Sequence, residues 1–242
     1  MLLPMMLTSA MLVFSFCVTA QVVEITPPNE AVRFVSLLAD AHEFNFVESC
    51  AANPVFDAYR DDGKSLVYFP VQKSDGTVAI MSLDVADPLA ESEHVCDVNC
   101  GRKGAVSVYG SKLTDDGFLL VCYFNLNQIV IIDLKTRRIV NRVLDIPCPN
   151  DLCYDKNNQH TVYVAAGKKR VIANEPVSGQ VIALHFTPGY QQTRLAEIVW
   201  DDLGALAGIE STENELIVSE LYRIIKASIP RDGGRIDEDV IG

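Results

Sequence analysis

The chain has 242 residues, close to half of them hydrophobic, enough for one large domain with a sizeable core. Twenty Lys and Arg stand against 32 Asp and Glu, a formal net charge of −12. That balance argues against phosphate backbones or anionic lipid as the main partner, so neither nucleic acid nor a membrane surface is expected.

Residues 1–20, MLLPMMLTSAMLVFSFCVTA, carry no charged side chain and are mostly apolar. The small residues Val18 and Ala20 fit the signal-peptidase pattern, which makes this stretch a signal peptide cut before Gln21 and the protein secreted, or resident in the secretory pathway. The alternative is a membrane anchor, since the run is near the ~20 residues that span a bilayer. Cleavage removes Cys17 and leaves Cys50, Cys96, Cys100, Cys122, Cys148 and Cys153. An even set in a secreted chain predicts disulfides. Cys96 and Cys100 flank a short polar loop and are a candidate pair. Cys122, in a very apolar run, reads as a buried free thiol. The cysteine spacings are not those of a zinc ribbon, and no N-x-S/T sequon occurs.

Residues 21–45 read as a lead-in, broken by Pro27-Pro28, with a short helix over 31–41. The remainder, 46–242, repeats one grammar: β-branched and aromatic runs separated by Asp, Asn and Gly turns. The first copy is NPVFDAYRDDGKSLVYFP with SDGTVAIMSLD, predicting a third strand over Val78–Leu83. The second is AVSVYGSKLTDDGFLLVCYF with NQIVIIDL. The third is PNDLCYDKNNQHTVYVAAG with GQVIALHF. It holds a polar turn at Asp155–Asn158 and a strand over Thr161–Ala166. The fourth is GIESTENELIVSEL with RIIKASI. Leu66, Leu120, Val162 and Leu216 mark the second strands, at spacings of 54, 42 and 54 positions.

A period near fifty residues with three or four strands is a β-propeller blade. A two-sheet sandwich also strings short strands between turns, but the repeated order of turn types favours the propeller. Six blades of that size need on the order of 300 residues. The expected fold is therefore all-β: a six-bladed type of propeller, incomplete in this chain, with about four clear blades.

Pro54-Val55-Phe56-Asp57 and Pro149-Asn150-Asp151-Leu152 resemble motifs of the SMP-30/gluconolactonase superfamily, which includes paraoxonase-like and strictosidine-synthase-like propellers. The resemblance covers roughly residues 48–242. It implies a calcium ion in the central channel and hydrolysis of a small-molecule lactone or ester at the channel mouth. Calcium takes six to eight oxygen ligands, so several blades must each contribute one. Asn150 agrees with the family's metal-binding Asn, and Glu210 and Glu48 are further candidate ligands, with Asn53 and Asp151 nearby. Three positions depart from the pattern. A Glu of the first blade falls on Ala52, an Asn-Asp-Gly on Arg102-Lys103-Gly104, and an Asp-Gly on Ala207-Gly208. A lysine ammonium at the axis would repel the ion.

For Asn150 and Asp151 the structural alternative is a turn after proline. Asp61-Asp62-Gly63, Asp75-Gly76 and Asp115-Asp116-Gly117 read as hairpin turns rather than calcium loops. Other chemistries lack their signatures: no G-x-S-x-G elbow, no phosphate-binding glycine loop, and no paired spacing among His42, His94, His160 and His185. His185, between apolar neighbours, reads as a satisfied structural histidine, and Lys168-Lys169-Arg170 as a solvated loop. Two functions stay open: a secreted, calcium-dependent lactone or ester hydrolase, or a propeller without metal that acts as a binding or scaffold module for a protein partner.

Overall fold

The computed structural model describes residues 66–73, 76–84, 87, 89–101, 106–167, 178–220, 223–229 and 235–236. The expected signal peptide, the lead-in and the first copy's Pro54–Asp57 motif lie outside these residues, as do Cys50 and Lys168–Arg170. The described residues fold as fourteen strands in four antiparallel sheets, each a meander of consecutive strands. The first sheet holds β1 (Leu66–Gln72), β2 (Thr77–Asp84) and β3 (Glu93–Asn99). The second holds β4 (Val108–Leu113), β5 (Phe118–Tyr123), β6 (Gln128–Asp133) and β7 (Arg138–Val143). The third holds β8 (Pro149–Asp155), β9 (Asn158–Gly167), β10 (Gly179–His185) and β11 (Glu197–Leu203). The fourth holds β12 (Leu206–Ser211), β13 (Glu215–Glu220) and β14 (Ile224–Ser228). The four marker residues fall on β1, β5, β9 and β13, of which β5, β9 and β13 are each the second strand of their sheet.

The turns form where acidic and amide side chains bond their own backbone. Asp155 pairs with Asn158 across a two-residue connection, and the Asn157 N–H donates to Asp155 Oδ1 at 2.8 Å. Between β4 and β5, Gly117 takes a φ of 86° that suits glycine. There the Thr114 N–H donates to the Phe118 carbonyl at 2.9 Å, and the Thr114 hydroxyl donates to Asp116 Oδ1 at 2.6 Å. Asp115–Asp116–Gly117 is thus a hairpin turn, as its sequence predicts.

Packing distinguishes a propeller from a sandwich. A sandwich sheet buries one face, whereas the second and third sheets here bury both. From β5, Leu119, Val121 and Tyr123 face Tyr68, Val78 and Ile80 of the first sheet. The alternate residues Leu120 and Cys122 face Val162, Val164, Ile182 and Leu184 of the third. The third sheet's other face, with Tyr163, Ala165, Val181 and Ala183, meets Leu216, Val218, Ile225 and Ala227 of the fourth. Strands sandwiched in this way need apolar residues on both faces, which explains continuous runs such as FLLVCY and IVII. The four sheets are the blades of a propeller, stacked face to face in chain order.

The outermost strands β3, β7 and β11 were not predicted. Their sequences, EHVCDVN, RIVNRV and EIVWDDL, mix exposed and buried positions because each lies at the rim of its blade. The innermost strands β4, β8 and β12 lie side by side.

The disulfide expectation is corrected for Cys96 and Cys100, which are free thiols, as are Cys122 and Cys153. Cys96 sits inside extended β3, and four residues of strand separate α-carbons by roughly 13 Å, beyond the ~7 Å a disulfide tolerates. Cys122 is fully buried, as predicted.

Candidate functional site

The site is built where β4, β8 and β12 run together. Pro149-Asn150-Asp151 does not form a turn; it opens strand β8. On the β4 side its backbone is approached closely by glycine. A Cβ on Gly110 of β4 would collide with Asp151 Oδ1 and stand 2.6 Å from the Asp151 Cα. A Cβ on Gly208 of β12 would stand 3.4 Å from Asp151 Oδ2. The bare backbone at Gly110 lets β4 approach β8 at Asp151, whereas at Gly208 a Cβ would make ordinary contact with the Asp151 side chain.

That pair ties β8 to β12 through side chains. Asn150 Nδ2 donates to the Leu206 carbonyl at 2.5 Å, and the Ile209 N–H donates to Asp151 Oδ2 at 3.0 Å. The Ser211 hydroxyl adds a third tie, donating to the Tyr154 carbonyl at 2.6 Å. Strands of separate blades share no ladder, so these bonds satisfy backbone groups that no sheet partner serves. Burial pushes the Asp151 carboxyl up to about 6, against the pull of the Ile209 and Leu152 N–H groups and of the Lys112 ammonium.

Glu210 of β12 projects into the same place. Lys112 of β4 reaches past β8 to bring Nζ within 2.9 Å of Glu210 Oε2. Lys156, from the β8–β9 turn, places Nζ 3.7 Å from Glu210 Oε1, which also accepts the Ser211 N–H at 3.0 Å. Burial pushes the Glu210 carboxyl up, but the charge and hydrogen bond of Lys112 outweigh it and hold the group below its usual range. The two ammonium groups also lie over the Tyr154 ring, at 5.9 Å for Lys112 and 4.8 Å for Lys156.

Of the predicted ligands, Asn150 and Glu210 lie on the neighbouring inner strands β8 and β12, with Asn150 bonded to Leu206, four positions along the strand from Glu210. Glu48 lies outside the described residues, with Asn53, Ala52 and Arg102–Gly104. Ala207 is exposed beside Gly208. Lys112, Tyr154 and Lys156 were not predicted as site residues. The one signal for Lys112 was a long cation on an inner strand; Lys156 was absorbed into a turn, because nothing local shows that the turn leans over Glu210.

The described residues do not fit a calcium cage. Calcium needs six to eight oxygens, and no group of three or more His, Cys, Asp or Glu among the described residues could hold a metal ion. Both Glu210 oxygens face an ammonium group. His185 is accounted for structurally: Nδ1 is 3.2 Å from the Thr161 hydroxyl and Nε2 is 2.6 Å from Arg194.

No protein-family model matches the chain, and no curated protein matches it. Among solved structures it is similar to the hydrazine synthase of Kuenenia stuttgartiensis, with TM-score 0.50 and 15% identity over 75% of this chain and 47% of that one. A chain of the nidogen/laminin complex aligns with TM-score 0.46 and 14% identity, over 71% of this chain and 62% of that one. A 6-phosphogluconolactonase-like protein of Bacteroides uniformis aligns with TM-score 0.43 and 15% identity, over 73% and 68%. The chain thus spans about half the length of the first of these. At such identities the likeness speaks to the fold alone.

Proposed function

We propose that this chain is a propeller-type binding module that works without a metal ion. One observation carries the reading: Glu210, the acid that would face a central cation, is already held by Lys112 at 2.9 Å and Lys156 at 3.7 Å. A divalent ion there would have to displace two ammonium groups and would meet their repulsion in a partly buried setting. In this reading, binding of a small molecule or a protein partner is insensitive to chelators. The expected site of action is the secretory pathway or the exterior of the cell, following from the apolar residues 1–20.

A second reading, calcium-dependent hydrolysis of a lactone or ester, draws on the placement of Asn150 and Glu210 on adjacent inner strands. It requires Glu210 to leave both lysines. Thermal unfolding with excess calcium and with EDTA separates the two. An ion at a hundred times its dissociation constant stabilises by about 2.7 kcal/mol. We expect no shift and no calcium-dependent turnover on a lactone and ester panel. A saturable upward shift, with turnover that EDTA abolishes, favours the hydrolase.

A further inference from the structure

The interior blades and the fourth blade treat their far faces differently. On the second sheet the residues turned toward the third, Leu120, Cys122, Ile129 and Ile131, are all apolar and buried. On the third sheet Tyr163, Ala165, Val181 and Ala183 turn toward the fourth in the same way. The fourth sheet is apolar and buried on its near face, where Leu216 and Val218 of β13 and Ile225 and Ala227 of β14 meet the third sheet. Between them stand Glu215, Ile217 and Ser219 on β13 and Ile224, Lys226 and Ser228 on β14, every one of them half-buried or exposed. That alternation is the pattern of a sheet with one face in water. The far face is not plain apolar surface. Ile224 is 59% exposed and Ile217 is half-buried, but Lys226 stands opposite Ile217 across the ladder, and its Nζ lies 3.1 Å from Glu215 Oε1. An ion pair this exposed adds little to stability. Its effect falls on what could cover the face. Another sheet laid on Ile217 and Ile224 would strip water from both charges, a cost their mutual attraction does not readily repay. β14 is also the last strand of its sheet, where a lysine discourages edge-to-edge pairing.

We propose that Lys226, held by Glu215, is a gatekeeper that keeps the far face of the fourth blade from stacking on the same face of a second copy of this chain. The facing sheets of this fold are otherwise built to stack. Two such faces brought together would place Ile217 and Ile224 in contact, and with them two ammonium and two carboxylate groups that water now solvates. The inference concerns self-association and is independent of the metal-free reading above.

The test is the mass of the full chain in solution, by size-exclusion chromatography with light scattering over a range of concentrations. Wild type is compared with Lys226→Glu and with a double variant, Lys226→Ile plus Glu215→Val. The double variant makes the face apolar and should shift from the mass of one copy to that of two as concentration rises. Wild type should keep the mass of one copy throughout, and so should Lys226→Glu, which breaks the pair but leaves the face charged. A double variant that also stays at the mass of one copy would overturn the proposal. Should the double variant not fold, acetylation of native wild type, read by mass spectrometry, decides the matter. Lys226 should react as readily as the exposed Lys135. Protection of Lys226 that grows with protein concentration would mean that a second copy covers the face, and would overturn the gatekeeper.

Discussion

Asp151 is a carboxyl whose environment works against its charge. Its folded value, about 6, lies above its ordinary 3.8 because burial outweighs the two N–H bonds and the lysine that favour ionisation. The protonated form therefore favours the folded state. That contribution is complete below about pH 3.8 and is lost as pH rises through about 6; the displacement corresponds to about 3 kcal/mol at most. Asp151→Asn keeps an oxygen for the Ile209 N–H and removes the charge. Its melting temperature relative to wild type should rise between pH 4 and pH 7, and a flat difference across that range would contradict the assignment. Glu210 has the opposite sign. Its carboxyl is held low, so its stabilisation is present near neutrality and fades as pH falls through its folded value. Gly110 is constrained by space. A methyl there meets the backbone of β8, and Gly110→Ala should cost about 1–3 kcal/mol in chemical denaturation.

Strand β5 and strand β7 belong to the same blade and obey different rules. Strand β5 is stacked on both faces, so Leu120, buried against the third blade, has no way to relax if truncated. Leu120→Ala should destabilise by about 2–5 kcal/mol in urea unfolding. At the rim, β7 is held by polar ties: Arg142 donates to the Asn99 carbonyl at 3.1 Å, and Asn141 Nδ2 donates to the Tyr190 carbonyl at 2.8 Å. Val140, partly buried against the layer between the second and third blades, should lose less than Leu120: Val140→Thr should cost about 0.5–1.5 kcal/mol. Equal losses at the two positions would argue against the stacking order.

The described residues form a run of blades joined by three apolar layers, and their cysteines report on those layers. Cys122 and Cys153 are buried between blades, and burial pushes both thiols well above their ordinary value. Cys96 is pushed up to about 11 by burial and by Asp97. Native alkylation with iodoacetamide, read by mass spectrometry, should leave Cys122 and Cys153 unmodified until the blades separate in denaturant. Rapid native labelling of either would mean that the stack opens. A reductant should leave the pairing state of Cys96 and Cys100 unchanged, since both are already free.

Much of this molecule is legible in its sequence because blade packing is periodic. Strands buried on both faces must be apolar, and tight turns between them must use Asp, Asn and Gly, so the marker positions Leu66, Leu120, Val162 and Leu216 could be found by spacing alone. The rim strands β3, β7 and β11 escaped because an edge exposed to water leaves no such pattern. The site was legible in part. Asn150 and Glu210 could be nominated from motif and charge, and they lie on adjacent inner strands. That Lys112 would cross from β4 to hold Glu210, 98 positions away, is written nowhere locally. The sequence by itself determined the blades, their order and their turns, since those depend on interactions within a few tens of residues. Only the tertiary structure decided that Lys112 of β4, with Gly110 letting that strand close on β8, reaches Glu210 of β12, because that depends on which inner strands the stacking of whole blades brings together.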